Sequence, residues 1–238
     1  MPRAHRQEQG RTDILQAAAA LLSTRGYHGM SMRDLARAAG MSLANLYNYF
    51  PSKGDLVFDL QTRAFQTLIA SAEEAVAGTH GGPARLHAFI LSHVRYVATH
   101  DDVMRVLVEE AGEVPPAKRR AIRALKERYF SIGRAIVASV VPGGRGGRAR
   151  EAELDRATFS IFGMLNWVYA WYRPSRYGDP HDVARTIHRI ALSGLVARSP
   201  SRASQAATER TLARMQVRSP VRPRAASPGI GKQPERIP

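Results

Sequence analysis

Residues 31–55, SMRDLARAAGMSLANLYNYFPSKGD, constrain the fold more than any other stretch of this 238-residue chain. Three helix starts follow one another: Ser31 with Asp34 three residues on, then Ser42, then Ser52 with Asp55. A side-chain oxygen at such a position satisfies backbone N–H groups that have no partner in the first helical turn. Gly40 supplies the positive φ that a tight turn between the first two helices requires, and Pro51 ends the second. Leu35, Ala36 and Ala39 share one face of the first helix, while Leu46 and Phe50 point inward from the second. Asn45, Tyr47, Asn48 and Tyr49 remain for other work. Two short helices across a glycine turn, the second bearing amides and phenols, have the shape that enters a DNA major groove.

Elsewhere strand signals are almost absent, and nearly every long segment carries apolar residues at helical spacing. The pattern predicts an all-α fold of about nine helices. A first helix covers residues 12–25, and the helix opening at Ser52 continues to Gly78. Others start at Pro83, at His100–Asp101 and at Pro115–Pro116, the last running to Val140. A strongly apolar helix covers 151–172, and a final one 180–197. Four parts result: a flexible basic arm over 1–11, a helix-turn-helix part over 12–56, a ligand-binding and dimerisation part over 57–198, and a disordered, proline-rich tail over 199–238. The glycines of GGRGGR at 143–148 imitate a dinucleotide fingerprint. With no strand before them and no βαβ unit around them, they read as a linker.

Charge supports a polyanionic partner: 35 Lys and Arg stand against 20 Asp and Glu, with a net +6 in residues 199–238 and +2 in residues 1–11. The absence of cysteine excludes disulfides, thiolate metal sites and a cysteine nucleophile. No histidine pair has the spacing of a zinc-binding helix, so neither a metal nor a cofactor is expected. No apolar run approaches the ~20 residues of a membrane span, and MPRAHRQEQG lacks the apolar stretch of a signal peptide, which points to the cytoplasm.

Residues 14–61 resemble the N-terminal domain of the tetracycline-repressor (TetR) family. The likeness rests on a first helix ending at Gly26, Tyr27 in the connecting segment, Gly40, and the run from Leu46 to Leu56 with Tyr47, Phe50, Ser52 and Lys53. It implies that Tyr47, Tyr49 and Lys53 bond DNA phosphates, although many members carry histidine where this chain has Tyr49. On the same surface Asn45 and Asn48 can donate to base edges, and Leu43 and Ala44 can touch a thymine methyl group. Ser42, which caps this helix, belongs with the DNA-facing set. Arg33, early in the preceding helix, is a further base or phosphate contact. The resemblance also implies a homodimer through the last two long helices. One helix-turn-helix reads a half-site, so a two-fold dimer reads palindromic double-stranded DNA.

A second stretch, GMLNWVYAWYRP at 163–174, holds both tryptophans of the chain. It resembles a signature of the TetR branch that senses acyl-CoA thioesters in fatty-acid or steroid breakdown. That likeness implies ligand contacts for Trp167 and Trp171, with Arg173 pairing with a ligand phosphate or carboxylate. The bland alternatives are interface packing for the tryptophans and neutralisation of a helix C-terminus for Arg173. The favoured reading is a repressor released from its operator by a small-molecule effector. An architectural DNA-binding protein without a ligand and an enzyme on a helical scaffold are the rivals.

Overall fold

The computed structural model describes residues 3–109, 113–141 and 147–196, together with Arg210. Every element among them is helical, and the residues up to Val196 form one compact unit. The predicted tail over 199–238, Arg210 apart, lies outside the described residues, as do Glu110 and the centre of the glycine loop.

The expected caps are all present. α1 spans Arg3–Gly29 and bends at Gly26, whose φ of 67° breaks the helical run. Ser31 and Asp34 then form a reciprocal capping box on α2, Met32–Ala38. Gly40 turns the chain with φ 65°. Ser42 accepts the Asn45 N–H to start α3, Leu43–Tyr49, and Ser52 accepts the Asp55 N–H to start α4, Lys53–Ala77. Leu35, Leu46 and Phe50 are fully buried between these helices.

α5 covers Gly82–Thr99, with Pro83 in its first turn, and α6 covers Asp101–Glu109. A short 3₁₀ turn at Pro116–Lys118 leads into α7, Arg119–Val140. α8, Arg148–Asn166, ends before the aromatic run does. The Trp167 N–H is shared between the Gly163 and Leu165 carbonyls, and a separate turn, α9, takes up Val168–Trp171. The continuous helix expected over 151–172 is therefore two pieces. α10, Pro174–Tyr177, and α11, Pro180–Val196, complete the described fold.

Two of the sequence-based boundaries change. The arm over 1–11 was expected to be flexible, yet α1 is helical from Arg3. Side chains tie it down: Arg11 pairs with Asp59 at 2.9 Å and lies 4.5 Å over the Phe50 ring, while Glu8 pairs with Arg63 at 2.7 Å. These partners sit on α4, far along the sequence, so no local signal announces them. Nor does packing stop at residue 56. One apolar core runs from Ile14 on α1 to Ala191 on α11, and α4 passes from the helix-turn-helix into it.

The link between the two ends is specific. α6 packs on α1 and on α4. The segment after α6 docks on the start of α4: a Cβ on the buried Gly54 would lie 2.9 Å from the Pro115 ring. Beside it Lys118 pairs with Asp55 at 2.9 Å. That ammonium, and then the Ser52 hydroxyl, hold the Asp55 carboxyl below the usual carboxylate range.

Candidate nucleic-acid interface and effector cavity

The caps orient α3 so that its apolar side is consumed by Leu46 and the rest faces outward. Ser42, Ala44, Asn45, Tyr47 and Asn48 are exposed, while Leu43 and Tyr49 are half-buried. Tyr47 keeps 45% of its surface exposed, which leaves its phenol available to a phosphate instead of packing it between helices. Arg33 is exposed on α2, near Arg37, whose side chain is 82% exposed and pairs loosely with Asp34 at 3.6 Å. Polar donors that reach outward from a helix held by buried leucine and phenylalanine are what base-edge and phosphate contacts require.

Lys53 is placed differently from the sequence reading. Its Nζ donates to the Tyr27 carbonyl at 2.5 Å and the Met30 carbonyl at 2.9 Å, and it sits 4.2 Å from the centroid of the Tyr27 ring. The ammonium thus satisfies carbonyls at the end of α1, a tertiary duty invisible to local spacing. Two residues that the sequence reading did not single out as DNA contacts adjoin α3 instead. Arg6 and Gln7 on the first turns of α1 line a groove of about 440 Å³ with Asn45, Asn48 and Tyr49. Gly10 permits this approach, since a Cβ there would lie 2.8 Å from the Tyr49 hydroxyl. The signal was present in the charge of residues 1–11, but not the helix that aims it.

The other feature is a half-open cavity of about 600 Å³ between α4, α5, α6, α7 and α8. Its wall is dominated by Phe65, Met104, Tyr129, Phe130, Phe159 and Phe162, with His93, Lys126, Glu127, Ser131 and Asn166 as polar members. Phe162 meets Phe89 and Tyr129 edge-on at centroid distances of 5.8 and 5.5 Å, an arrangement that holds the rings in place. His93 is buried on α5, and its Nδ1 lies 2.9 Å from the Tyr129 hydroxyl. Burial pushes the His93 pKa down to about 4, so the ring is neutral near pH 7. Burial likewise lowers the Lys126 ammonium and raises the Tyr129 phenol.

None of Trp167, Trp171 and Arg173 lines this cavity. Trp167 is 61% exposed beyond the end of α8. Trp171 packs edge-on against Tyr177 at 5.2 Å, and Arg173 donates to the Tyr172 carbonyl at 2.6 Å. The break of the helix at Trp167 turns these residues away from the bundle interior. Tyr169 from the same run instead reaches α6, bonding Glu109 at 3.1 Å with Arg105 5.1 Å from its ring.

Comparison with known proteins decides the family. Residues 14–60 match "Bacterial regulatory proteins, tetR family", and residues 80–195 match "Tetracyclin repressor-like, C-terminal domain". The chain belongs to the TetR family. Its TetR relatives include the HTH-type transcriptional repressor KstR2 of Rhodococcus jostii. That protein is 25% identical over 187 residues, which span 78% of this chain and 90% of the relative. The TetR family regulator PfmR of Thermus thermophilus has the same fold, with TM-score 0.67 and 29% identity over 78% of this chain and 99% of that one. AibR, solved with isovaleryl coenzyme A and operator DNA, shares the fold at TM-score 0.66 and 21% identity, over 76% of this chain and 97% of its own. The protein is accordingly a DNA-binding transcriptional regulator and not an enzyme. No helix among its described residues is long and apolar enough to cross a membrane.

Proposed function

We propose that this TetR regulator is a cytoplasmic homodimeric repressor that leaves a palindromic operator when an acyl-CoA thioester fills the cavity between α4 and α8. The observation that carries the reading is the position of α6. Its Met104, Leu107 and Val108 form part of the cavity wall, and the same helix packs on α1 of the reading head. A ligand that displaces α6 therefore acts on the head directly and, through the segment that docks on Gly54 and Asp55, on α4. Ligand binding favours whichever arrangement it fits better, and a changed spacing of two heads no longer matches successive major grooves.

Acyl-CoA is the favoured class for two reasons. An aromatic and aliphatic cavity of this size accommodates an acyl chain, with the half-exposed Lys126 available to an anionic part. AibR, a relative in fold, binds isovaleryl coenzyme A. Contacts then fall to the cavity wall, and Trp171→Leu leaves ligand-induced release intact. Dimerisation is supported by exposed apolar side chains on the last two long helices, Phe159 on α8 and Ile190 and Val196 on α11, at 64%, 55% and 49% exposure. Asn45, Asn48, Leu43, Ala44, Ser42 and Arg33 carry sequence readout, with Tyr47 and Tyr49 on phosphates.

Two variants test the DNA half of the reading. Tyr47→Phe removes one phosphate donor and weakens all duplexes by a similar factor, about five- to tenfold. Ile190→Glu places charge in the dimer face, so light scattering reports a monomer and specific affinity falls by well over tenfold. A monomeric Ile190→Glu protein that binds a palindrome as the wild type does contradicts the dimeric reader.

A further inference from the structure

Among the polar members of the cavity wall, His93 is fully buried and only half used by the fold. His93 is 1% exposed, its Nδ1 faces the Tyr129 hydroxyl at 2.9 Å, and its Nε2 has no hydrogen-bond partner among the described residues. Counting donors and acceptors decides which nitrogen holds the proton. Were Nδ1–H to donate to Tyr129, both the Tyr129 O–H and the Nε2 lone pair would be left unpaired. With the Tyr129 O–H donating to Nδ1, only Nε2–H is left over. Buried polar groups are costly to leave unpaired, so the second arrangement prevails.

A buried N–H donor in an aromatic cavity is a recognition element without its acceptor. We propose that His93, held as the Nε2–H tautomer by Tyr129, donates to an uncharged carbonyl oxygen of the effector seated inside the cavity. The class of ligand follows: an apolar body with an internal acceptor oxygen, such as a thioester or ketone, in preference to a pure hydrocarbon. A free carboxylate is disfavoured at His93, because one neutral donor does not offset the burial of a charge. Any anionic portion belongs beside Lys126, which is only half-buried. Nε2 is itself covered, so an incoming oxygen displaces a wall side chain. Met104, an unbranched thioether in the same wall, yields at low cost. The inference rests on the cavity being the effector site.

Butyrophenone and butylbenzene, which differ in shape mainly by the carbonyl oxygen, test it on the full-length protein. Calorimetric titration is expected to give butyrophenone about a tenfold tighter Kd, the worth of one hydrogen bond to a group otherwise unpaired. Histidine side-chain ¹⁵N spectra should show His93 protonated at Nε2 from the outset, with that nitrogen shifting on addition of the ketone and not of the hydrocarbon. His93→Gln, which keeps an N–H near the same place, should retain part of the preference, and His93→Phe should lose it. Equal affinities in the wild type, or a ketone preference without a shift at His93, overturn the anchor and leave the cavity reading standing. Failure of both molecules to bind overturns the cavity reading and the anchor with it.

Discussion

Lys53→Ala is expected to cost about 3 kcal/mol of stability and to abolish operator binding for that reason. Lys53 opens α4, yet its ammonium reaches back to the Tyr27 and Met30 carbonyls, at 2.5 and 2.9 Å, and lies over the Tyr27 ring. These carbonyls follow the bend at Gly26, at the end of α1, where backbone oxygens run out of intrahelical partners. The Met30 side chain is 1% exposed, so water does not readily replace the lost donor there. The turn that aims α2 and α3 would loosen. Urea denaturation followed by circular dichroism gives the stability, and fluorescence anisotropy of a labelled duplex gives the affinity. If Lys53 instead served only a phosphate, stability would be unchanged and the slope of log Kd against log salt would fall by about one.

Acid should destabilise the protein through His93 more than through any other single histidine. Its folded pKa, about 4, lies below the ordinary 6.5, because burial disfavours the charged ring. Between those values the unfolded chain binds more protons than the folded one, so stability rises with pH across the window. The contribution is complete above pH 6.5 and disappears as pH falls towards 4. Its full size is about 3 kcal/mol. The groups around it do not offset this: Tyr129 and Tyr96 are both raised by burial and stay neutral throughout. His87, lowered first by burial and then by His188 and His181, contributes in the same direction and is only partly buried. Comparison of wild type with His93→Gln isolates the His93 share. The difference in unfolding free energy between neutral pH and about pH 4.5 should shrink by about 2–3 kcal/mol in the variant. An unchanged difference would place His93 in a wetter setting than the one described.

The reading head was legible because its determinants are local. Ser31, Ser42 and Ser52 act within three residues of themselves, Gly40 within its own φ, and Leu46 and Phe50 through helical spacing. The intramolecular partners of Arg11 and Lys53 were not legible because they come from tertiary structure: Asp59 and Phe50 for Arg11, the end of α1 for Lys53. The cavity was harder still, since its wall is assembled from five helices that are far apart in sequence. The paired tryptophans at 167 and 171 drew attention as a local cluster, yet the break in the helix turned them outward. One signal for the cavity did exist. His93 lies in an apolar stripe with Leu86, Phe89, Ile90, Val94 and Val97, and a lone polar residue in such a stripe must find a partner inside.

Coupling between cavity and head is measured by the anisotropy of a palindromic duplex that the protein selects from a random pool. The titration is run alone and with a saturating chain-length series of saturated acyl-CoA thioesters from butyryl to palmitoyl. At least one member should weaken operator binding by tenfold or more, equivalent to a coupling free energy of about 1.4 kcal/mol or greater. Binding of an acyl-CoA to the protein with operator affinity unchanged across the whole series would contradict the coupling.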